Sequence, residues 1–224
     1  MATLTGFLLV DKPSGPTSHD VVDMVRRATG LKKVGHAGTL DPFASGLLIM
    51  ALGNATKEIS QFVGLDKTYE ATILLGGTSD TMDRTGKLDM QACATVSEPA
   101  MLDVLEKFKG DIDQTPPMYS AKKVGGKKLY ELAREGKEVE RAPVRVTIHV
   151  LEIISYNWPH LTVRCRVSSG TYIRALAHDI GATLGCGAYL EELRRTAIGT
   201  YKVEDAVPAD SLGAAPLDER LFSM

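Results

Sequence analysis

Gly35-His36-Ala37-Gly38-Thr39-Leu40-Asp41-Pro42-Phe43-Ala44-Ser45-Gly46, followed at once by Leu47-Leu48-Ile49-Met50-Ala51-Leu52, is the stretch on which the reading of this 224-residue chain turns. Three glycines, a histidine and an Asp-Pro step break the backbone into a tight loop, and the six residues after it are too apolar to face water. One carboxylate, Asp41, is thus presented from a loop that runs straight into a buried element. Loops held by a rigid core in this way carry chemistry. Taken by itself the aspartate admits two readings. Asp before Pro is a common helix start, with the carboxylate as N-cap; the other reading is a reactive group. His36, beside the glycines, reads by default as a loop histidine with a local hydrogen bond.

Before this loop, Phe7-Leu8-Leu9-Val10 predicts a short buried strand, ended by the turn-rich Asp11-Lys12-Pro13-Ser14-Gly15-Pro16. Thr17 or Ser18 then caps a helix with Val21, Val22, Val25 and Ala28 at helical spacing, and Gly30 closes it. After the loop, the Leu47 run is a helix or a strand, and a short helix is expected around 56–63. Tyr69–Leu75 reads as a strand, 76–86 as a polar loop, and Ser97-Glu98-Pro99 to Gly110 as a helix with clean signals at both ends. A short helix is expected within 127–134, alternating strands over 144–150 and 161–167, and helices over 172–184 and 188–195. There is no regular βαβ repeat, so the expected class is α+β, a mixed, mostly antiparallel central sheet flanked by helices. The expected organisation is one domain over 1–206, with a basic excursion over about 116–143, and a short acidic tail over 207–224.

Composition narrows the function classes. Cys93, Cys165 and Cys186 are widely spaced with no C-x-x-C pair, which argues for a reducing, cytoplasmic setting and against a disulfide scaffold or a zinc cluster. No apolar run is long enough to span a bilayer, and the first residues lack a signal-peptide pattern. The net charge of −2 conceals a segregation. From Tyr119 to Arg145 eight basic residues face four acidic ones, whereas five acids and one arginine follow Val203. Such a segment is either a polyanion site or a solvated basic hairpin. Gly125-Gly126-Lys127-Lys128 lacks the spacing of a phosphate-binding loop, the five histidines show no metal-ligand pair, and Phe43-Ala44-Ser45-Gly46 lacks the first glycine of a nucleophile elbow. Metal hydrolase, nucleotidase and serine hydrolase chemistries are therefore disfavoured.

Five blocks in order change the weighting of these pieces: Asp11 to Ser18, Gly35 to Gly46, Lys67-Thr68-Tyr69-Glu70-Ala71, Pro116-Pro117-Met118-Tyr119-Ser120-Ala121 and Gly170-Thr171-Tyr172-Ile173-Arg174. Together they closely resemble the TruB family of pseudouridine synthases, which isomerise a uridine in the T-loop of tRNA, and the resemblance runs from about Gly6 to Ala206. It implies that Asp41 is the catalytic aspartate and that Tyr69 stacks on the target base. It further implies that Arg174 pairs with the aspartate, that Tyr172 and Leu193 line the uridine pocket, and that His36 helps hold the flipped-out loop of the RNA. Lys12 and Pro13 fall in a block that supports the catalytic loop, and the basic segment matches a region that closes over the T-arm.

The chemistry agrees with those roles. The reaction breaks an N1–C1′ bond, turns the base and rejoins it through C5 without redox change, so a directed carboxylate suffices and no cofactor is needed. Extruding the base costs a few kcal/mol, which an aromatic face offsets. The expected activity is stand-alone isomerisation of uridine 55 of tRNA by a monomer, without membrane or obligatory protein partner. The alternatives are a non-catalytic tRNA-binding or folding module and a related synthase acting on another RNA. Most family members continue into a small C-terminal RNA-binding domain, which this chain, ending at Met224, is expected to lack.

Overall fold

The apolar run after the Asp41 loop is a strand, because both of its edges find pairing partners and both of its faces are covered. A computed structural model describes residues 4–120, 122–214 and 216–223, apart from the Arg134 side chain. Met1-Ala2-Thr3 and Ala121, the last residue of the Pro116 block, lie outside the described residues, as do 215 and 224 of the expected tail. The chain divides into two compact units, Met1–Glu70 with Leu193–Met224, and Ala71–Glu192.

In chain order the first unit holds β1 (Gly6–Lys12), α1 (Ser18–Thr29), β2 (Val34–Ala37), β3 (Ser45–Leu52), a 3-10 turn over Gly53–Lys57, α2 (Ser60–Val63) and the first half of β4 (Lys67–Leu75). The second unit carries β5 (Gly77–Ser79), β6 (Leu88–Met90), α3 (Glu98–Glu106), β7 (Gly110–Gln114), β8 (Lys123–Val124) and β9 (Lys127–Lys128). It continues with α4 (Leu129–Arg134), β10 (Val144–Asn157), β11 (His160–Val167) and α5 (Ile173–Leu184). The strand β12 (Ala188–Ile198) returns the chain to the first unit, where β13 (Tyr201–Lys202) and β14 (Val207–Pro208) follow.

β3 is the axis of the first unit. β1 runs antiparallel along it, with Leu8 opposite Met50 and Lys12 opposite Gly46. β2 pairs antiparallel with its end, His36 opposite Met50, and β12 parallel with its start, Arg195 opposite Gly46. Every residue from Leu47 to Leu52 is fully buried, so a continuous apolar run, rather than an alternating one, is what this position demands. Leu47, Ile49 and Ala51 join Phe7, Phe62, Ile198 and Val203 in one core. Near the end of the chain Phe222 exchanges two backbone hydrogen bonds with Phe7 and stacks on Tyr201 at 5.1 Å between centroids.

In the second unit β10 lies antiparallel between β11 and β7, β5 pairs with β6 and β8 with β9, and α3 packs on α5 and β10. Mostly antiparallel pairing in a mixed sheet flanked by helices is the expected class. No helix among the described residues is long and apolar enough to cross a membrane.

Local expectations met the structure unevenly. Thr17 caps α1 through a capping box with Asp20, and Gly30 closes it in the left-handed region at φ 70°. Ser97 caps α3 as expected, but the helix ends at Glu106, and Gly110 opens β7 instead. The helix expected around 56–63 is a 3-10 turn and the single-turn α2, and α4 is preceded by the β8–β9 hairpin. The clear error is 188–195, which is not a helix but β12. Its Leu-Glu-Glu-Leu-Arg-Arg composition favours a helix only by tenths of a kcal/mol per residue, and lateral pairing outweighs that.

Candidate functional site

Asp41 does not cap a helix. Ala44 N donates to Asp41 O at 3.1 Å, closing a turn over Pro42 and Phe43 that enters β3 directly, so the N-cap reading fails. The half-buried aspartate sits instead on a loop clamped from outside itself. Gly15 N donates to Pro42 O at 2.8 Å and Ser14 Oγ to Phe43 O at 2.8 Å. Ser18 Oγ, buried at the start of α1, donates to Leu40 O at 3.0 Å and accepts from Leu40 N at 2.8 Å. The Pro13–Ser18 segment therefore serves as a template on which the Asp41 loop is laid. Ordering a loop by many short backbone bonds lowers the entropy lost when a substrate is bound.

Beneath the loop lie two buried cations. Lys12 is fully buried, and its Nζ donates to Pro13 O at 2.9 Å, Pro16 O at 2.7 Å and Pro42 O at 3.2 Å. Arg195, 1% exposed, donates from Nε to Leu47 O at 2.8 Å and from Nη2 to Gly38 O at 2.9 Å, bridging the two ends of the loop. Lys12, Gly46 and Arg195 form one row across β1, β3 and β12, with the glycine between the cations. Gly46 has φ +109°, and a Cβ there would lie 2.2 Å from Arg195 O. The glycine is thus required by the close approach of β12. Neighbouring Arg194 closes a two-pronged ion pair on Asp11, 2.7 Å at its shorter contact.

Burial lowers Lys12 to about 8, opposed by the Asp41 and Asp20 carboxylates and reinforced by Arg195. Lys67, its Nζ donating to Val63 O and Leu65 O at 2.6 Å each, is likewise brought to about 8, chiefly by burial and next by Arg195. His36 is pushed down by burial, then by Arg195 and His19, and so is neutral at pH 7; its Nδ1 is buried and has no hydrogen-bond partner among the described residues. Concentrated positive charge of this kind favours an anion in its reach.

The second unit contributes a different constellation. Arg174, 5% exposed, lies in the first turn of α5 and forms an ion pair with Asp83 at 3.3 Å. It also donates to Thr81 O at 3.0 Å and to Tyr119 O at 2.9 Å. Asp83, 3% exposed, accepts from Thr81 Oγ1 at 2.8 Å, Thr85 N at 2.9 Å and Thr85 Oγ1 at 2.5 Å, in a turn where Met82 takes φ 63°. Such a non-glycine residue is held only where its surroundings over-determine it. Tyr172 exchanges two hydrogen bonds with the buried Gln114 amide, 2.8 and 3.0 Å, fixing the entry to α5.

Lys12, Pro13, His36, Asp41, Tyr69 and Leu193 therefore lie in the first unit, Tyr172 and Arg174 in the second. Tyr69 and Leu193 are each 8% exposed. Sequence reasoning missed Ser18 as a loop clamp, Arg195, Asp83 and Gln114. Asp83 carried a legible signal, hydroxyls two residues away on either side in Thr81-Met82-Asp83-Arg84-Thr85, the local pattern of a carboxylate held by its own turn.

Comparison with known proteins gives a consistent picture. Residues 26–173 match the family model described as TruB family pseudouridylate synthase (N terminal domain), and 174–222 match a tRNA pseudouridylate synthase B C-terminal domain. The segment expected to be an acidic tail thus lies largely inside a C-terminal-domain match of its own. A tRNA pseudouridine synthase B from Azoarcus sp. is 53% identical over 94% of this chain and 70% of its own length. One from Opitutus terrae is 46% identical over 96% of this chain and 90% of its own length. Among solved structures, a chain of a Cbf5–Nop10–Gar1 complex superposes with a TM-score of 0.72 at 33% identity, covering 91% of this chain. This chain spans about half of that protein, 52%.

Proposed function

The chain belongs to the TruB family of pseudouridine synthases, and we propose that it converts uridine 55 in the tRNA T-loop to pseudouridine with Asp41 as its essential carboxylate. The general activity, isomerisation of uridine to pseudouridine in tRNA, is the one its relatives carry in their names. The assignment of the residue is supported by one observation above the others: the loop bearing Asp41 is built as a fixed mount, held by Lys12, Ser14, Ser18 and Arg195.

In this reading the Asp41 carboxylate acts at the sugar or base while the N1–C1′ bond breaks; the detached base turns, C5 bonds to C1′, and the C5 proton leaves to solvent while N1 takes one up. Tyr69 offers the face on which the extruded base stacks, and Tyr172 and Leu193 line its pocket. Arg174, on the strength of its place in the Gly170–Arg174 motif, is the counter-ion assigned to Asp41, with Asp83 fixing its direction. Neutral His36 contacts the displaced RNA loop. Lys12 and Pro13 support the mount, and the basic segment over 116–143 closes on the T-arm. The enzyme acts alone, as a cytoplasmic monomer without cofactor.

Tritium release from a T-arm transcript carrying C5-labelled uridine tests this. The wild-type chain releases tritium, while Asp41→Asn and Asp41→Ala release none and still bind tRNA. An unchanged rate in either variant refutes the catalytic role of Asp41. No release by the wild type favours the tRNA-binding module.

A further inference from the structure

Two of the three cysteines meet in the second unit, at a place the reaction does not use. Cys186 sits in the turn between α5 and β12, 1% exposed, and Cys93 lies partly exposed in the loop between β6 and α3. Gly76 brings these segments together: its N–H donates to Gly187 O at 3.1 Å, and its carbonyl accepts from Gln91 N at 2.8 Å. A Cβ on Gly187 would lie 3.4 Å from Gln91 Oε1. Burial and the neighbouring Cys93 thiol both raise the Cys186 thiol, which places the two side chains in each other's electrostatic reach, and Cys93 Sγ donates to Ala94 O at 3.3 Å. Tyr156, whose hydroxyl donates to Val96 O at 2.6 Å, is in electrostatic reach of both sulfurs.

We propose that Cys93 and Cys186 form a redox modification site, closed by hydrogen peroxide or an organic hydroperoxide into a disulfide within the chain. The inference is independent of the uridine chemistry. Cys93, the accessible thiol, attacks the peroxide as its thiolate; the O–O bond breaks, water or an alcohol leaves, and a sulfenic acid remains. Cys186 sulfur then attacks the Cys93 sulfur, the S–S bond forms, and the hydroxyl departs as water with the Cys186 proton. Two thiols and one hydrogen peroxide give one disulfide and two waters, the sulfurs oxidised and the peroxide oxygens reduced. Burial raises the Cys186 thiol and keeps it protonated, so the accessible Cys93 is the one that meets the peroxide first. The 91–97 segment belongs to no helix or strand, so it can supply the small shift a disulfide geometry requires. Cys165, fully buried in β11, has no part in the pair and serves as an internal control.

The test is peroxide treatment of the full chain at neutral pH, then alkylation under denaturing conditions and mass spectrometry of a non-reduced digest. The expected result is a cross-linked Cys93–Cys186 peptide, a fall from three free thiols to one, and recovery of all three with a reductant. Cys93→Ser keeps the wild-type tritium-release rate and forms no cross-link, leaving Cys186 alkylatable. In Cys186→Ser, Cys93 proceeds to sulfinic acid. The proposal is overturned if all three thiols survive. It is equally overturned if wild-type Cys93 becomes sulfinic acid while Cys186 stays free, or if the only disulfide joins two chains.

Discussion

At the scale of the residue, the Asp41 mount depends on cations that touch backbone rather than carboxylates. Arg195 bridges Gly38 O and Leu47 O with a planar fork, which lysine cannot reproduce. Arg195→Lys is therefore expected to lose one of the two bonds, lowering stability by about 1–3 kcal/mol and kcat roughly ten- to a hundredfold through a displaced loop. KM for tRNA stays close to wild type in the same steady-state assay. Lys12 makes a prediction with two signs. Its folded value of about 8 lies below the ordinary 10.5, so the unfolded chain binds more protons between those limits. The Lys12 contribution to stability therefore rises with pH across that window. Activity moves the other way, because a neutral amine has one donor fewer for its three carbonyls. kcat is expected to fall above pH 8 with no matching loss of Tm from this group. Lys67 titrates over the same range, and Lys12→Arg, which keeps its charge, decides between them by shifting the limb to higher pH.

At the scale of the element, the glycines of the loop divide by physical role. Gly46 combines φ +109° with a virtual Cβ 2.2 Å from Arg195 O, where backbone cannot yield. Gly35 has no such φ, and its Cβ would meet Ile59 Cδ1 at 3.6 Å and Thr56 Cγ2 at 4.0 Å, both ordinary contacts. Gly46→Ala is expected to destabilise the fold by about 3 kcal/mol or more, and Gly35→Ala by no more than about 1 kcal/mol, in urea unfolding. A raised KM for Gly35→Ala at intact stability assigns that glycine to RNA approach. Much of this was legible in the sequence: the α1 cap, the Leu47 run as a buried element and the punctuated loop follow from local chemistry. The identity of β12 was not, since Leu190, Leu193 and Arg195 become buried only through contacts remote in sequence. The same holds for Ser18, whose hydroxyl looks like a second capping candidate until Leu40 is laid against it.

At the scale of the whole molecule, a net charge of −2 coexists with a polyanion substrate because the charge is segregated. The basic segment is partly neutralised from within: Glu135, lowered chiefly by its hydrogen bond from Lys137, holds that lysine at 2.7 Å and Lys127 at 3.6 Å. Lys122 and Lys123 make no ion pair among the described residues. Replacing both with alanine is expected to reduce the slope of log Kd for tRNA against log salt by about one to two, measured by filter binding. Lys137→Ala changes it less.

The sequence by itself determined most of the turns, that the Leu47 run is buried and which loop presents Asp41, because capping, turn chemistry and apolar patterning act over a few residues. Only the tertiary structure decided that Lys12 and Arg195 flank Gly46, that Arg174 meets Asp83, and that β12 is a strand. Those outcomes rest on bonds between residues far apart in the chain, such as the 157 positions separating Gly38 from Arg195. Buried partners satisfying one another's polar groups outweigh the tenths of a kcal/mol by which local propensity prefers one conformation over another.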